Sequence, residues 1–185
     1  MESRAFALAR SVFFATLFVS LWTWFIPRWI AASRHVMLEP RWSVASIAFM
    51  AVGALIMLRC VWDFAWTGRG TPAPWDPPRR LVVRALYRWV RNPMYVGMGT
   101  FLIGEALLLP SIRNGMFVVI ACAWAVVTAF IMLYEEPTLR RLFGSDYEEY
   151  CRNVRRWIPR LTPWAPPRGG FDKTSGAAVI SPYLD

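Results

Sequence analysis

Two short stretches of this chain carry groups that could do chemistry together. One is Arg91-Asn92-Pro93-Met94-Tyr95-Val96-Gly97, which opens an apolar run; the other is Glu135-Glu136, which closes another. Pro93 suits the first position of a helix, and a helix N-terminus offers free N–H groups and a partial positive charge to an anion. A carboxylate pair binds hydroxyls, amines or cations. Side by side, the two stretches suit a ligand that carries both kinds of group. No metal set accompanies them: Cys60, Cys122 and Cys151 are scattered, the first two inside apolar helices, and they support neither a metal site nor a disulfide framework.

Some 40 residues separate the two stretches, so the elements between them must bring them together. With 56% hydrophobic residues and a mean hydropathy of +0.34, the chain is too apolar for a soluble domain of 185 residues. Its 11 Trp and 12 Phe suit membrane interfaces. The expected fold is all-α and integral to the membrane, with four transmembrane helices at about 5–26, 44–66, 93–109 and 116–134, interfacial helices and a C-terminal cytosolic helical segment. Pro27 and Arg28 close the first span, and no small-residue cleavage site follows it, so it reads as a retained helix. Arg59 and Asp63 in the second are spaced to pair on one helix face. The third and fourth make a hairpin turning at Pro110, Ser111, Asn114 and Gly115.

Of the 21 Lys and Arg residues, sixteen fall on the side of the two termini and the Gly68–Asn92 loop, four on the other side, and Arg59 inside a span. That bias places both termini in the cytosol and accounts for the net charge of +9 without nucleic acid. The hairpin then sets the start of the third helix beside the end of the fourth, at the cytosolic face. Before the third helix, residues 71–78 are stiffened by proline, and Leu81–Arg91 reads as an amphipathic interfacial helix. Arg84, Arg88 and Arg91 share one of its faces, placed for lipid phosphates or for direct ligand contact. After the fourth span, Gly144 stops a short helix, and Ser145 with Glu148 forms a capping box for another. That second helix carries the stripe Tyr147, Tyr150, Cys151, Val154 and Ile158, and Pro159 ends it. Residues 1–162 form a single domain in this reading, and 163–185 a flexible cytosolic tail.

The run Arg91 to Gly97, the two carboxylates and then Phe143-Gly144-x-x-Tyr147-x-x-Tyr150 together resemble the membrane methyltransferase superfamily, which includes the isoprenylcysteine carboxyl methyltransferases and the phospholipid N-methyltransferases. The resemblance covers about Pro72 to Pro159. It implies an S-adenosylmethionine-dependent methyltransferase acting at the membrane on a lipidic or small hydrophobic acceptor. By position it implies cofactor contacts from Arg79, Arg80, Leu81, Val82, Tyr87, Asn92, Pro93, Met94, Tyr95 and Glu135. Gly97-Met98-Gly99 and Glu135-Glu136 are similar to the paired cofactor motifs of the phospholipid enzymes, with Gly97 and Gly99 letting the cofactor lie close to the helix. Close helix packing is the other use for those glycines.

The sequence departs from the superfamily pattern at two positions. Asn92 stands where the family usually has His, and Ile131 where the prenylcysteine enzymes have an Arg for the substrate carboxylate. No catalytic residue stands out. Glu105, an acid inside the third span, is a substrate candidate or the maker of a buried interhelical hydrogen bond, and Tyr147 is a second substrate candidate. An NADPH-dependent reductase of the sterol and steroid type shares a similar Arg-x-Pro-x-Tyr run and remains an alternative, as does a non-catalytic membrane scaffold. The acceptor and the oligomeric state stay open, and membrane lipids are the expected partners.

Overall fold

The apolar runs fold as helices, and a computed structural model describes them over residues 20–63, 81 and 83–165. No strand occurs among the described residues. A π-helical turn, Leu21–Phe25, leads into α1 (Ile26–Ser33), and α2 (Val44–Asp63) follows. A 3-10 turn at Ala85–Arg88 precedes α3 (Pro93–Leu108) and α4 (Arg113–Phe130). A second π turn, Ile131–Glu135, then joins α4 to α5 (Glu136–Asn153).

Among the described residues, two helices are long and apolar enough to cross a membrane: α2, with 20 residues, and the continuous 41-residue run Arg113–Asn153. At 1.5 Å per residue, only about half of that run fits a hydrocarbon layer about 30 Å thick. The apolar half is α4, because α5 carries Arg140, Arg141, Glu148 and Arg152 on its exposed surface. The shorter apolar helix α3 has 16 residues. Val44 and Leu58 of α2 and Val126 of α4 are 86%, 66% and 68% exposed. A soluble protein does not leave so much contiguous apolar surface in water, but lipid accepts it.

Close helix contact sets the frame. A Cβ on Gly53 would stand 2.5 Å from the Phe101 amide nitrogen and 2.6 Å from the Gly97 carbonyl oxygen. The missing side chain therefore lets α2 and α3 touch through their backbones, as small residues do between membrane helices. Ile30, Ala31, Ala106, Leu109, Ile112 and Met116 form a cluster that closes the α3–α4 hairpin against α1. The expected Arg59–Asp63 pair forms at 3.2 Å.

Four expectations need correction. Pro27 does not end its helix: it is buried within α1. Proline withholds an N–H from the preceding turn and crowds it, and the wider π turn just before Pro27 absorbs that fault. Pro137 follows the π turn Ile131–Glu135 in the same way, so the fourth helix runs on into α5 instead of ending near Tyr134. Gly144, with φ +50°, kinks α5 without stopping it, and no separate capped helix starts at Ser145. Finally, Leu81–Arg91 holds one 3-10 turn and no amphipathic helix; Ala85 at φ +43° lies in the left-handed region, which a right-handed helix cannot include. Most of the first expected span, the prolines at 72–78 and residues 166–185 lie outside the described residues.

Candidate functional site

The start of α3 and the end of the second π turn meet at one mouth. Pro93 is the first residue of α3 and is buried, and Asn92 before it makes no side-chain cap. The first turn of α3 therefore keeps N–H groups without a side-chain acceptor. The hydroxyl of Tyr95, in that first turn, faces the Glu135 carboxylate and is placed to donate a hydrogen bond to it. The π turn places Glu135 one register off the α-helical pattern, which aims it toward α3. Burial and then the adjacent Glu136 charge push the Glu135 carboxyl up, opposed by the Tyr95 hydrogen bond. No guanidinium among the described residues pairs with Glu135. The edge of Tyr95 faces Trp157, ring centroids 6.5 Å apart at 74°, and Trp157 in turn packs on Trp124 of α4 at 4.4 Å.

Glu136, its neighbour, is committed elsewhere. The Arg156 guanidinium grips both of its oxygens, Nε at 2.7 Å and Nη2 at 3.0 Å, and Arg91 Nη1 adds a third bond at 3.1 Å. Glu136 is 6% exposed. Burial alone would raise its pKa, but the Arg156 hydrogen bonds and the Arg91 and Arg156 charges outweigh that and hold the carboxyl below the usual range. Arg91 also donates to the Cys151 sulfur at 2.8 Å, and its buried Nε has no partner. Arg91 thus faces inward to Glu136 and not outward to lipid phosphates, one of the two uses expected of it, because Glu136 is the stronger acceptor within reach.

Residues 154–164 run back across the loop that leads into α3. The Arg91 N–H donates to the Arg155 carbonyl, that of Arg160 to the Trp89 carbonyl and that of Trp164 to the Arg88 carbonyl, each at 2.9 Å. Asn92 Nδ2 donates to the Arg156 carbonyl at 3.3 Å, and Arg88 Nε returns a bond to the Trp164 carbonyl at 2.6 Å. Beneath this strap the Tyr150 hydroxyl donates to the Tyr87 carbonyl at 2.7 Å. An apolar groove of about 290 Å3 opens beside it, lined by Ile56, Trp89, Val90, Pro93, Val96 and Pro159.

Of the residues singled out in the sequence, Asn92, Pro93, Tyr95, Glu135 and Glu136 come together at the mouth, and Tyr87 lies close by, its hydroxyl bonded to Cys60 of α2. Met94 turns toward Cys60 and Tyr87. Leu81 packs with Val83, Tyr147 and Tyr150 in a hydrophobic cluster, which also accounts for Tyr147. Gly97 and Gly99 do not open onto free space: a Cβ on Gly97 would meet Ile56 at 2.7 Å, and one on Gly99 would meet Trp124 at 2.9 Å. Both glycines let a neighbouring side chain pack directly on α3. Glu105 is 5% exposed, has one oxygen without a partner, and lies ten residues along α3 from Tyr95, about 15 Å at 1.5 Å per residue. The expected interhelical hydrogen bond from that oxygen does not form, and Glu105 does not reach the mouth. Arg79, Arg80 and Val82 lie outside the described residues. Sequence reasoning missed Arg156 and Trp157 and the partner of Arg91, since these contacts join residues 20 or more positions apart and no local pattern links them.

Comparison with known proteins agrees with the resemblance. The sequence profile of the phospholipid methyltransferase family matches residues 42–146, which include both halves of the mouth but not the strap. Two rice proteins, from Oryza sativa subsp. indica and subsp. japonica, each named a probable protein-S-isoprenylcysteine O-methyltransferase, are 29% identical to this chain over 86 residues. That stretch is 46% of this chain and 44% of each rice protein, so the match spans under half the length of these relatives. No solved structure matches.

Proposed function

This chain belongs to the phospholipid methyltransferase family, and from that premise we propose that it is an S-adenosylmethionine-dependent methyltransferase acting at the membrane on a lipidic or small hydrophobic acceptor. The observation that carries the reading is the meeting of the uncapped α3 N-terminus with Tyr95 and a Glu135 that no arginine among the described residues neutralises. The groups present fit the cofactor. Its carboxylate suits the free N–H groups of α3, its amine and ribose hydroxyls suit Glu135, and its cationic centre suits the aromatic ring of Tyr95. The cofactor supplies an already activated methyl group. The chain's own residues then have to bind, align and keep water out.

The apolar groove beside Pro93 supports an acceptor with a hydrocarbon part, which would come sideways from the bilayer. Ile131, 1% exposed, leaves no cation where the prenylcysteine enzymes hold a substrate carboxylate, and this disfavours a prenylcysteine acceptor. In the full proposal residues 1–162 form one domain with four spans, both termini face the cytosol, and 163–185 are a tail. Calorimetry on the detergent-purified chain tests the reading. We expect saturable binding of S-adenosylmethionine and none of NADPH. Binding of NADPH alone would replace the proposal with a reductase, and binding of neither would replace it with a scaffold.

A further inference from the structure

The strap of residues 154–164 holds groups that line the mouth of the proposed cofactor site. The Asn92 amide is given to the Arg156 carbonyl, both oxygens of Glu136 to the Arg156 guanidinium, and the Tyr95 ring edge to Trp157. A ligand entering the mouth has to win these groups back. The strap is lightly held. Val154 anchors it at 1% exposure and Trp164 packs on Tyr150, ring centroids 6.0 Å apart, but Ile158 and Leu161 are 62% and 97% exposed, and most of its attachments are polar bonds that are at most partly buried. Segments with few buried apolar contacts are those that open locally while the rest of a fold stays closed. A hinge is at hand where α5 ends at Asn153 and the backbone becomes extended at Val154.

We infer that residues 154–164 form an autoinhibitory latch, with the Arg156–Glu136 pair as its catch and Trp157 as the plug between Tyr95 and Trp124. Closed, the latch keeps Asn92 and Glu136 from any ligand; the cofactor gains the mouth only when Arg156 lets go. The apparent affinity is then the intrinsic affinity reduced by the fraction of open molecules. The inference rests on the reading of this mouth as the cofactor site, and it divides two adjacent carboxylates between two tasks: Glu135 for the ligand, Glu136 for the catch.

Two measurements test it. Hydrogen exchange on the ligand-free chain reads the catch alone. In Arg156→Gln the Arg160 and Trp164 amides should exchange roughly tenfold faster or more, as expected for loss of a charged hydrogen bond, while those in the middle of α2 stay unchanged. Equal rates in both proteins overturn the latch. The second measurement joins residues 89 and 160, neighbours across a main-chain hydrogen bond, through a Trp89→Cys/Arg160→Cys disulfide in a background with the native cysteines replaced. S-adenosylhomocysteine should bind the reduced form and bind the oxidised form at least roughly tenfold more weakly, with recovery on reduction, and Arg156→Gln should bind it more tightly than wild type. Equal binding by the locked and reduced forms overturns the latch while leaving the site reading intact. Weaker binding by Arg156→Gln also overturns it, because the strap would then serve the site. No binding by wild type removes the site reading and the latch together.

Discussion

Replacing Glu136 by Gln should cost the fold about 2–4 kcal/mol. The carboxylate accepts three hydrogen bonds from two guanidiniums, at 2.7, 3.0 and 3.1 Å, and its side chain is 8% exposed. Removing one partner of a fully buried ion pair costs about 3–5 kcal/mol, chiefly because the remaining charge is stranded. The Arg156 side chain is 26% exposed and Arg91 13%, so water recovers part of that loss. The assay is reversible unfolding in mixed micelles, comparing Glu136→Gln, Arg156→Gln and the double variant. The double variant should show a coupling of about 1 kcal/mol or more. The pH dependence gives a second reading. Because the folded carboxyl lies below its usual value, the unfolded chain takes up the proton first. The stabilisation is therefore whole above the ordinary glutamate value of about 4.3 and is lost as pH falls through the depressed folded value. Wild type should lose stability across that window and Glu136→Gln should not lose this component. A cost below about 0.5 kcal/mol, with matching acid profiles, would show that the clamp holds nothing.

Three further outcomes follow from the same geometry. Gly53→Ala forces a Cβ against the Phe101 amide and the Gly97 carbonyl, which should destabilise the α2–α3 pair by about 1–3 kcal/mol or prevent folding; a melting curve in detergent reads it. Tyr150→Phe leaves the Tyr87 carbonyl without its donor and should cost about 1–3 kcal/mol by the same unfolding assay, with the mouth otherwise intact. Glu135→Gln should weaken S-adenosylmethionine binding by about 1.5–3 kcal/mol, roughly tenfold to 150-fold, with little change in stability, since no guanidinium among the described residues depends on it. Unchanged affinity in that variant would remove Glu135 from the site.

The sequence carried α2, α3 and α4 and the meeting of the α3 start with the α4 end, because apolar length and hairpin connection are local signals. Arg59 and Asp63 were readable for the same reason, four residues apart on one helix. Where two physical effects competed, it was less informative. Pro27 and Pro137 are helix-ending signals taken alone, and only the π turn upstream of each lets the helix continue. Gly97 and Gly99 fit cofactor approach or helix packing as letters, and only the structure shows Ile56 and Trp124 packed against them. Glu135 and Glu136 look like one motif in the chain, yet one lies against a tyrosine and the other between two arginines. That division depends on Arg156 returning across α3, a contact over 20 residues that no periodicity encodes.

Ultraviolet cross-linking of labelled S-adenosylmethionine to the purified chain, followed by peptide mapping, tests the proposed site most directly. Label should fall on peptides holding Asn92 to Tyr95 and Ile131 to Glu136, and excess S-adenosylhomocysteine should displace it. Displaceable label confined to other segments, with these two peptides clean, would contradict the assignment of the mouth between α3 and the second π turn.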